Sequence, residues 1–116
     1  MLISGVALLR QTFALLLERR TGLRAVQADS PSGARELLAD LDGDIALVVV
    51  NVDAHDGSDA GLIERVHRFG LPVLAFGFEG STGSFARALD AGADDAISLG
   101  APVNHFIGRA VQLASR

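Results

Sequence analysis

The chain of 116 residues contains no cysteine, which excludes a disulfide framework, a thiolate nucleophile and a cysteine-based zinc site. Tryptophan and tyrosine are also missing, so the core must be mostly aliphatic. The apolar run at 45–50 is among the longest and is far too short to span a membrane. The formal net charge of −4 argues against a surface that binds nucleic acid or an anionic membrane. These absences predict a cytoplasmic domain that needs no cofactor and no metal ion.

The composition is that of one folded unit. A hydrophobic fraction of 49% against 21% charged residues allows a well-buried core, and a chain of this length has room for only one. We therefore expect a single domain over residues 1–116.

Short apolar runs alternate with helical spacing along the whole chain. The runs predict five strands, at 2–3, 23–28, 45–50, 72–76 and 95–99. The spacing of apolar residues between and after them predicts five helices, at 9–20, 31–41, 62–69, 85–91 and 102–111. This order predicts an α/β fold of the (βα)₅ type, a doubly wound parallel five-stranded sheet in a flavodoxin-like three-layer sandwich. Any functional site should lie where the strands end.

Four stretches carry a resemblance to a known family: 7–11, Asp56-Gly57, 72–74, and 88–95 with the sequence Ala-Leu-Asp-Ala-Gly-Ala-Asp-Asp. Together with the order of elements, they resemble the receiver domains of bacterial response regulators, above all those that precede a LuxR-type helix-turn-helix. The resemblance covers essentially the whole chain. It implies a receiver-like fold and a role in two-component signal transduction.

The resemblance also implies a phosphorylation pocket, because receivers bind Mg²⁺ through an acidic pair after strand one and phosphorylate an aspartate that ends strand three. A threonine or serine after strand four and a lysine after strand five then contact the phosphoryl group. These roles need hard oxygen ligands, a carboxylate nucleophile and a cation. A gapless alignment places five other residues at these positions: Ser4, Gly5, Val49, Gly77 and Leu99.

None of these five residues can perform the role of its position, and the aromatic switch position of the family falls on Ala96. The losses together predict a degenerate pseudo-receiver that is not an enzyme and acts without phosphorylation.

The resemblance further implies a contact surface made by the fourth helix, the fifth strand and the fifth helix. On it, five residues are candidates for a homodimer or partner interface: Arg87, Asp90, His105, Arg109 and Gln112. The expected partner is another protein or an output domain of the same regulator after Arg116, which would control transcription.

Two alternatives remain open. Asp53 or Asp56, in the polar loop that follows the third strand, could serve as an unconventional phosphate acceptor. The glycine-rich loop from Gly77 to Gly83 could instead bind a small molecule through its backbone N–H groups.

Overall fold

The structure, a computed structural model, describes residues 1–4, 7–22, 27–28, 33–34, 36, 45–52, 58–78 and 82–115. Five strands form one sheet: β1 (Leu2–Ile3), β2 (Gln27–Ala28), β3 (Val48–Asn51), β4 (Val73–Gly77) and β5 (Asp95–Ser98). They are ordered β2-β1-β3-β4-β5, and every neighbouring pair is parallel. The predicted parallel sheet is thus confirmed.

Four helices are described from end to end: α1 (Ala7–Thr21), α2 (Ser58–Arg68), α3 (Thr82–Ala91) and α4 (Val103–Ala114). Residues 33, 34 and 36 are also helical. They fall within the helix predicted at 31–41, most of which lies outside the described residues, as does most of the strand predicted at 23–28.

Helices cover both faces of the sheet, because the side chains of each strand alternate between the faces. Val48, Val50 and Val52 pack with the buried residues of α2 and α3. Val49 lies in a second cluster, formed with α1 and α4. This gives the three layers that the sequence predicts.

The second cluster is centred on three phenylalanines from three elements. The ring of Phe13 on α1 stacks on that of Phe106 on α4, with centroids 4.9 Å apart. Both meet the ring of Phe76 on β4 edge-on, at 5.4 Å and 5.9 Å. Such arrangements suit the charge distribution of aromatic rings, and here they fix α1 and α4 against the middle of the sheet.

The first residue of the chain extends the sheet. The Met1 amino group donates a hydrogen bond to Leu47 O at 2.6 Å, and Met1 O accepts one from Val49 N at 2.7 Å. Burial lowers the pKa of this amino group from 8.0 to about 6, because the charged form loses its water.

A glycine makes the close approach between α2 and α3 feasible. Gly92 ends α3 with a φ of +117°, a backbone conformation that side chains disfavour. A Cβ atom at this position would lie 2.6 Å from Cγ of His67 on α2. The position therefore requires glycine both for its backbone and for its neighbour.

None of the helices in the described part of the chain is long and apolar enough to cross a membrane.

Candidate functional site

The carboxyl ends of β1, β3, β4 and β5 meet at one edge of the sheet, where doubly wound folds carry their sites. The register decides which residues meet there. Ile3 pairs with Val50, so the next residues along the two strands, Ser4 and Asn51, are neighbours. Gly77 pairs with Ser98 at the ends of β4 and β5.

Ser4 and Asn51 form a buried polar pair at this edge. Their exposed fractions are 2% and 9%, and Asn51 Nδ2 donates a hydrogen bond to Ser4 Oγ at 3.1 Å. Burying a polar group is costly unless it is hydrogen-bonded, and this bond offsets part of that cost. The ends of β1 and β3 are therefore joined by two neutral side chains.

This geometry corrects one predicted position. The gapless alignment places the strand-end position at Val49, but Val49 lies in the middle of β3, paired with Leu2 and Leu74 and buried in the cluster under α1 and α4. Asn51 lies opposite Ser4, two residues later. The sequence interpretation assigned Asn51 to the following loop, whereas its backbone pairs with Phe76 in β4.

A cation reaches the same edge from α1. Arg10 Nη1 donates a hydrogen bond to Ser4 O at 2.8 Å, and the side chain is half-buried. Because the guanidinium binds the carbonyl of the residue that follows β1, it fixes the start of α1 relative to the sheet and leaves a positive charge near the Ser4–Asn51 pair.

Among the described residues, the ends of β4 and β5 contribute no charged side chain. Gly77 is buried, and its carbonyl accepts a hydrogen bond from Leu99 N at 2.8 Å. Leu99 is partly buried against the cluster under α1 and α4. Phe78, directly after Gly77, is 50% exposed. This part of the edge is apolar.

Several predicted site residues lie outside the described residues: Gly5, Asp53, Asp56 and most of the loop between Phe78 and Gly83. Within the described ranges, no three histidine, aspartate or glutamate side chains come together in a group that could hold a metal ion. Ser4, Gly77 and Leu99 are thus the predicted pocket residues that the structure brings to the edge.

Two of the candidate interface residues, Arg109 and Gln112, are linked by a hydrogen bond, and the other three are exposed. Arg109 Nε forms an ion pair with Asp95 Oδ2 on β5 at 2.9 Å, and Arg109 Nη1 donates to Gln112 Oε1 at 3.3 Å. The exposed residues Asp90 and His105 belong to α3 and α4.

Arg87 on α3 is exposed and donates a hydrogen bond to Ser84 Oγ within its own helix, at 3.2 Å. The sequence interpretation missed Asp95, because no spacing rule links a strand residue to a helix 14 residues later.

Neither the protein-family models nor the curated protein sequences match this chain. Solved structures do match. The receiver domain of NtrX from Brucella abortus is 19% identical, with a TM-score of 0.82 over 98% of this chain and 96% of that one. A response-regulator receiver domain from Clostridium thermocellum is 16% identical, with a TM-score of 0.80 over 96% and 91%.

A third structure is the signal receiver domain of a DNA-binding response regulator from Colwellia psychrerythraea, at 14% identity and a TM-score of 0.82 over 99% and 96%. The chain has the receiver fold. Because these identities are low, the likeness establishes the fold alone. The chemistry of the carboxyl edge must be judged from the residues of this chain.

Proposed function

We propose that this chain is a receiver-like signalling module of the two-component type that acts without phosphorylation, through contacts with protein. The receiver fold supports the general class. The observation that carries the proposal is the buried Ser4–Asn51 hydrogen bond at the carboxyl edge.

The chemistry of that edge does not suit phosphoryl transfer. An aspartyl phosphate needs a carboxylate nucleophile, whereas Asn51 offers an amide. Mg²⁺ prefers carboxylate oxygens, whereas Ser4 offers a neutral hydroxyl. The transferred group needs cations around its oxygens. Leu99 supplies none, and Arg10, the cation near Ser4, is hydrogen-bonded to the Ser4 carbonyl. The neutral pair also joins the ends of β1 and β3 through its own hydrogen bond.

A receiver-like chain that is not phosphorylated must act through its contact surfaces with other proteins. The face of α3, β5 and α4 is the proposed contact with a second copy, a protein partner or an output domain of the same regulator. Leu89 on α3 supports this face, because its large apolar side chain is 49% exposed next to the charged residues Arg87 and Asp90. A DNA-binding output domain, as named for the Colwellia psychrerythraea protein, would make the whole chain a cytoplasmic transcriptional regulator.

The test is incubation of the protein with Mg²⁺ and acetyl phosphate, followed by intact mass spectrometry. A conventional receiver, run alongside, gains about 80 Da for each phosphate, and this chain should gain none. Stoichiometric uptake on an aspartate would overturn the proposal. Mapping that uptake to Asp53 or Asp56 would establish the unconventional acceptor instead.

A small-molecule sensor is the second candidate, favoured by the apolar part of the carboxyl edge. Phe78 and Leu99 are adjacent across the ends of β4 and β5, and Val103 is exposed at the start of α4 on the same edge. A ligand that binds only the folded chain must raise its melting temperature. Thermal-shift screening of nucleotides and metabolites should therefore reveal a ligand, and Leu99→Asp should abolish its effect. A screen without any shift would speak against this candidate.

A further inference from the structure

The end of α2 presents two arginines and one aromatic ring to solvent. Arg65, Arg68 and Phe69 are all exposed, and Phe69, at 62%, is the most exposed large apolar side chain in the described residues. Their positions i, i+3 and i+4 place them on neighbouring parts of the helical surface. The turn continues through Phe69, whose N–H bonds to Val66 O at 3.1 Å. These three residues are called the α2 end below.

The α2 end faces away from α3. The buried side of α2 carries Leu62, Ile63 and Val66. On one flank, His67 lies against Gly92 at the end of α3. At 100° per residue, Arg65 and Phe69 fall on the opposite flank from His67, so α3 does not cover them.

The charge of the α2 end is not neutralised within the described part of the chain. The single ion pair there joins Arg109 and Asp95. Glu64 is exposed on the same helix, one position before Arg65, without an ion pair to either arginine. Cations in a last helical turn interact favourably with the helix dipole, which explains the arginines. That effect does not explain an exposed phenylalanine beside them.

We propose that the α2 end is a docking surface for an acidic protein segment that carries an apolar side chain. Arginine and aromatic residues dominate the binding energy of protein interfaces, the aromatic ring by filling an apolar pocket and the guanidinium by binding carboxylates. Two arginines on a chain of net charge −4 are too few for a nucleic-acid surface. The proposal is independent of the carboxyl edge, because α2 ends at the opposite edge of the sheet.

Three peptides test whether the α2 end recognises both acidic and apolar side chains. The first peptide has glutamates around one phenylalanine. The second replaces that phenylalanine with serine, and the third replaces the glutamates with lysines. Each is titrated into the full chain to on the order of 1 mM, and backbone amide shifts are followed by NMR. The first peptide should move the amides of 64–71 and bind most tightly. Binding of the serine or lysine peptide with equal affinity would overturn the proposal, as would no binding by the first peptide.

Variants of the chain locate the binding. Arg65→Gln with Arg68→Gln, and separately Phe69→Ser, should weaken binding of the first peptide by about tenfold or more. Helix α1 provides matched controls. Arg19→Gln with Arg20→Gln removes the same charge from another last helical turn, and Leu15→Ser removes another exposed apolar side chain. These should change binding by less than about twofold.

Equal weakening by the α1 variants would show a general charge effect and refute the surface. Tighter binding to phosphatidylserine vesicles or to a single-stranded oligonucleotide, lost with the same α2 variants, would reassign it to another class of partner. Melting temperatures of all variants are measured first, and because the substituted side chains are exposed, they should match the parent.

Discussion

At the scale of residues, Asn51 and Ser4 decide what the carboxyl edge can do. A buried amide and a buried hydroxyl would be costly alone, yet they satisfy each other across β1 and β3. Neither changes its charge with pH in the physiological range. This pair therefore gives the edge neither a titrating group nor a charged ligand for a metal ion.

Truncating the amide tests this pair. Asn51→Ala should lower the free energy of unfolding by about 1 to 3 kcal/mol, because it removes a buried hydrogen bond and leaves a small cavity. Chemical denaturation measures the loss. Gln11→Ala, which removes an exposed amide on α1, should stay within about 0.5 kcal/mol of the parent. An equal effect of both substitutions would contradict the importance of the pair.

Gly92 is the second decisive residue. Gly92→Ala should destabilise the fold by about 1 to 3 kcal/mol, since alanine is strained at a φ of +117° and its Cβ would overlap the His67 ring. Thermal or urea unfolding reports the change.

Gly108 provides a control of opposite sign. It lies within α4 with nothing near its missing Cβ, so Gly108→Ala should stabilise the chain by about 0.5 to 1 kcal/mol. Replacing His67 by alanine as well should relieve the overlap at Gly92 but not the backbone strain. A neutral Gly92→Ala variant would show that the loop rearranges freely.

The sequence alone placed some of these residues and not others. Counting from short motifs placed Ser4, Gly77 and Leu99 at strand ends, because Ser4 and Gly77 directly follow apolar runs and Leu99 is the last residue of the predicted fifth strand. It failed for Val49 and Asn51, because asparagine is typical of loops and the last residue of a buried strand is set by its hydrogen bonds to β4.

At the scale of elements, β5 lies at the edge of the sheet and is connected to α4 by one ion pair. Arg109 and Asp95 are 29% and 38% exposed, so water screens their attraction. Arg109→Ala should therefore cost less than about 1 kcal/mol, and the loss should shrink in high salt.

Arg87→Ala separates stability from association on the same face. Among the described residues, the exposed Arg87 hydrogen-bonds to Ser84 Oγ within its own helix and to no other element, so its replacement should leave the melting temperature unchanged. If the face of α3, β5 and α4 binds a second copy, Arg87→Ala and Arg109→Ala should each reduce self-association in sedimentation experiments. Unchanged association in both would count against that face.

The elements themselves were readable from the sequence, for a physical reason. Strands buried on both faces must be apolar throughout, so the runs at 45–50 and 72–76 indicated β3 and β4. Their ends were off by one to three residues, since hydrophobicity does not mark the last ladder hydrogen bond. Asn51 and Gly77 extend the strands beyond their predicted ends.

At the scale of the whole molecule, stability should depend on pH through the first residue. The Met1 amino group has a pKa of about 6 in the folded chain and 8.0 when unfolded. The unfolded chain thus binds more protons between pH 6 and pH 8, and the free energy of unfolding should rise by about 2 to 3 kcal/mol across that window. Denaturant unfolding at several pH values measures the slope.

N-terminal acetylation is the control. It removes the titrating group while keeping an N–H for Leu47 O, and the histidines are the same in both chains. The difference between the two pH curves therefore isolates Met1. Parallel curves would show that the amino group keeps its usual pKa in the folded chain.

The position of β1 also has a consequence for synthesis. β1 lies between β2 and β3 although it precedes both in the chain, and Met1 and its acceptor Leu47 are 46 residues apart. At the usual pace of translation, roughly 2 to 9 s pass between them. During that interval, Leu2 and Ile3 lack their partners Val49 and Val50 in β3. β1 is therefore made before both of the strands that flank it, and its hydrogen bonds can be completed only after β3 has been synthesised.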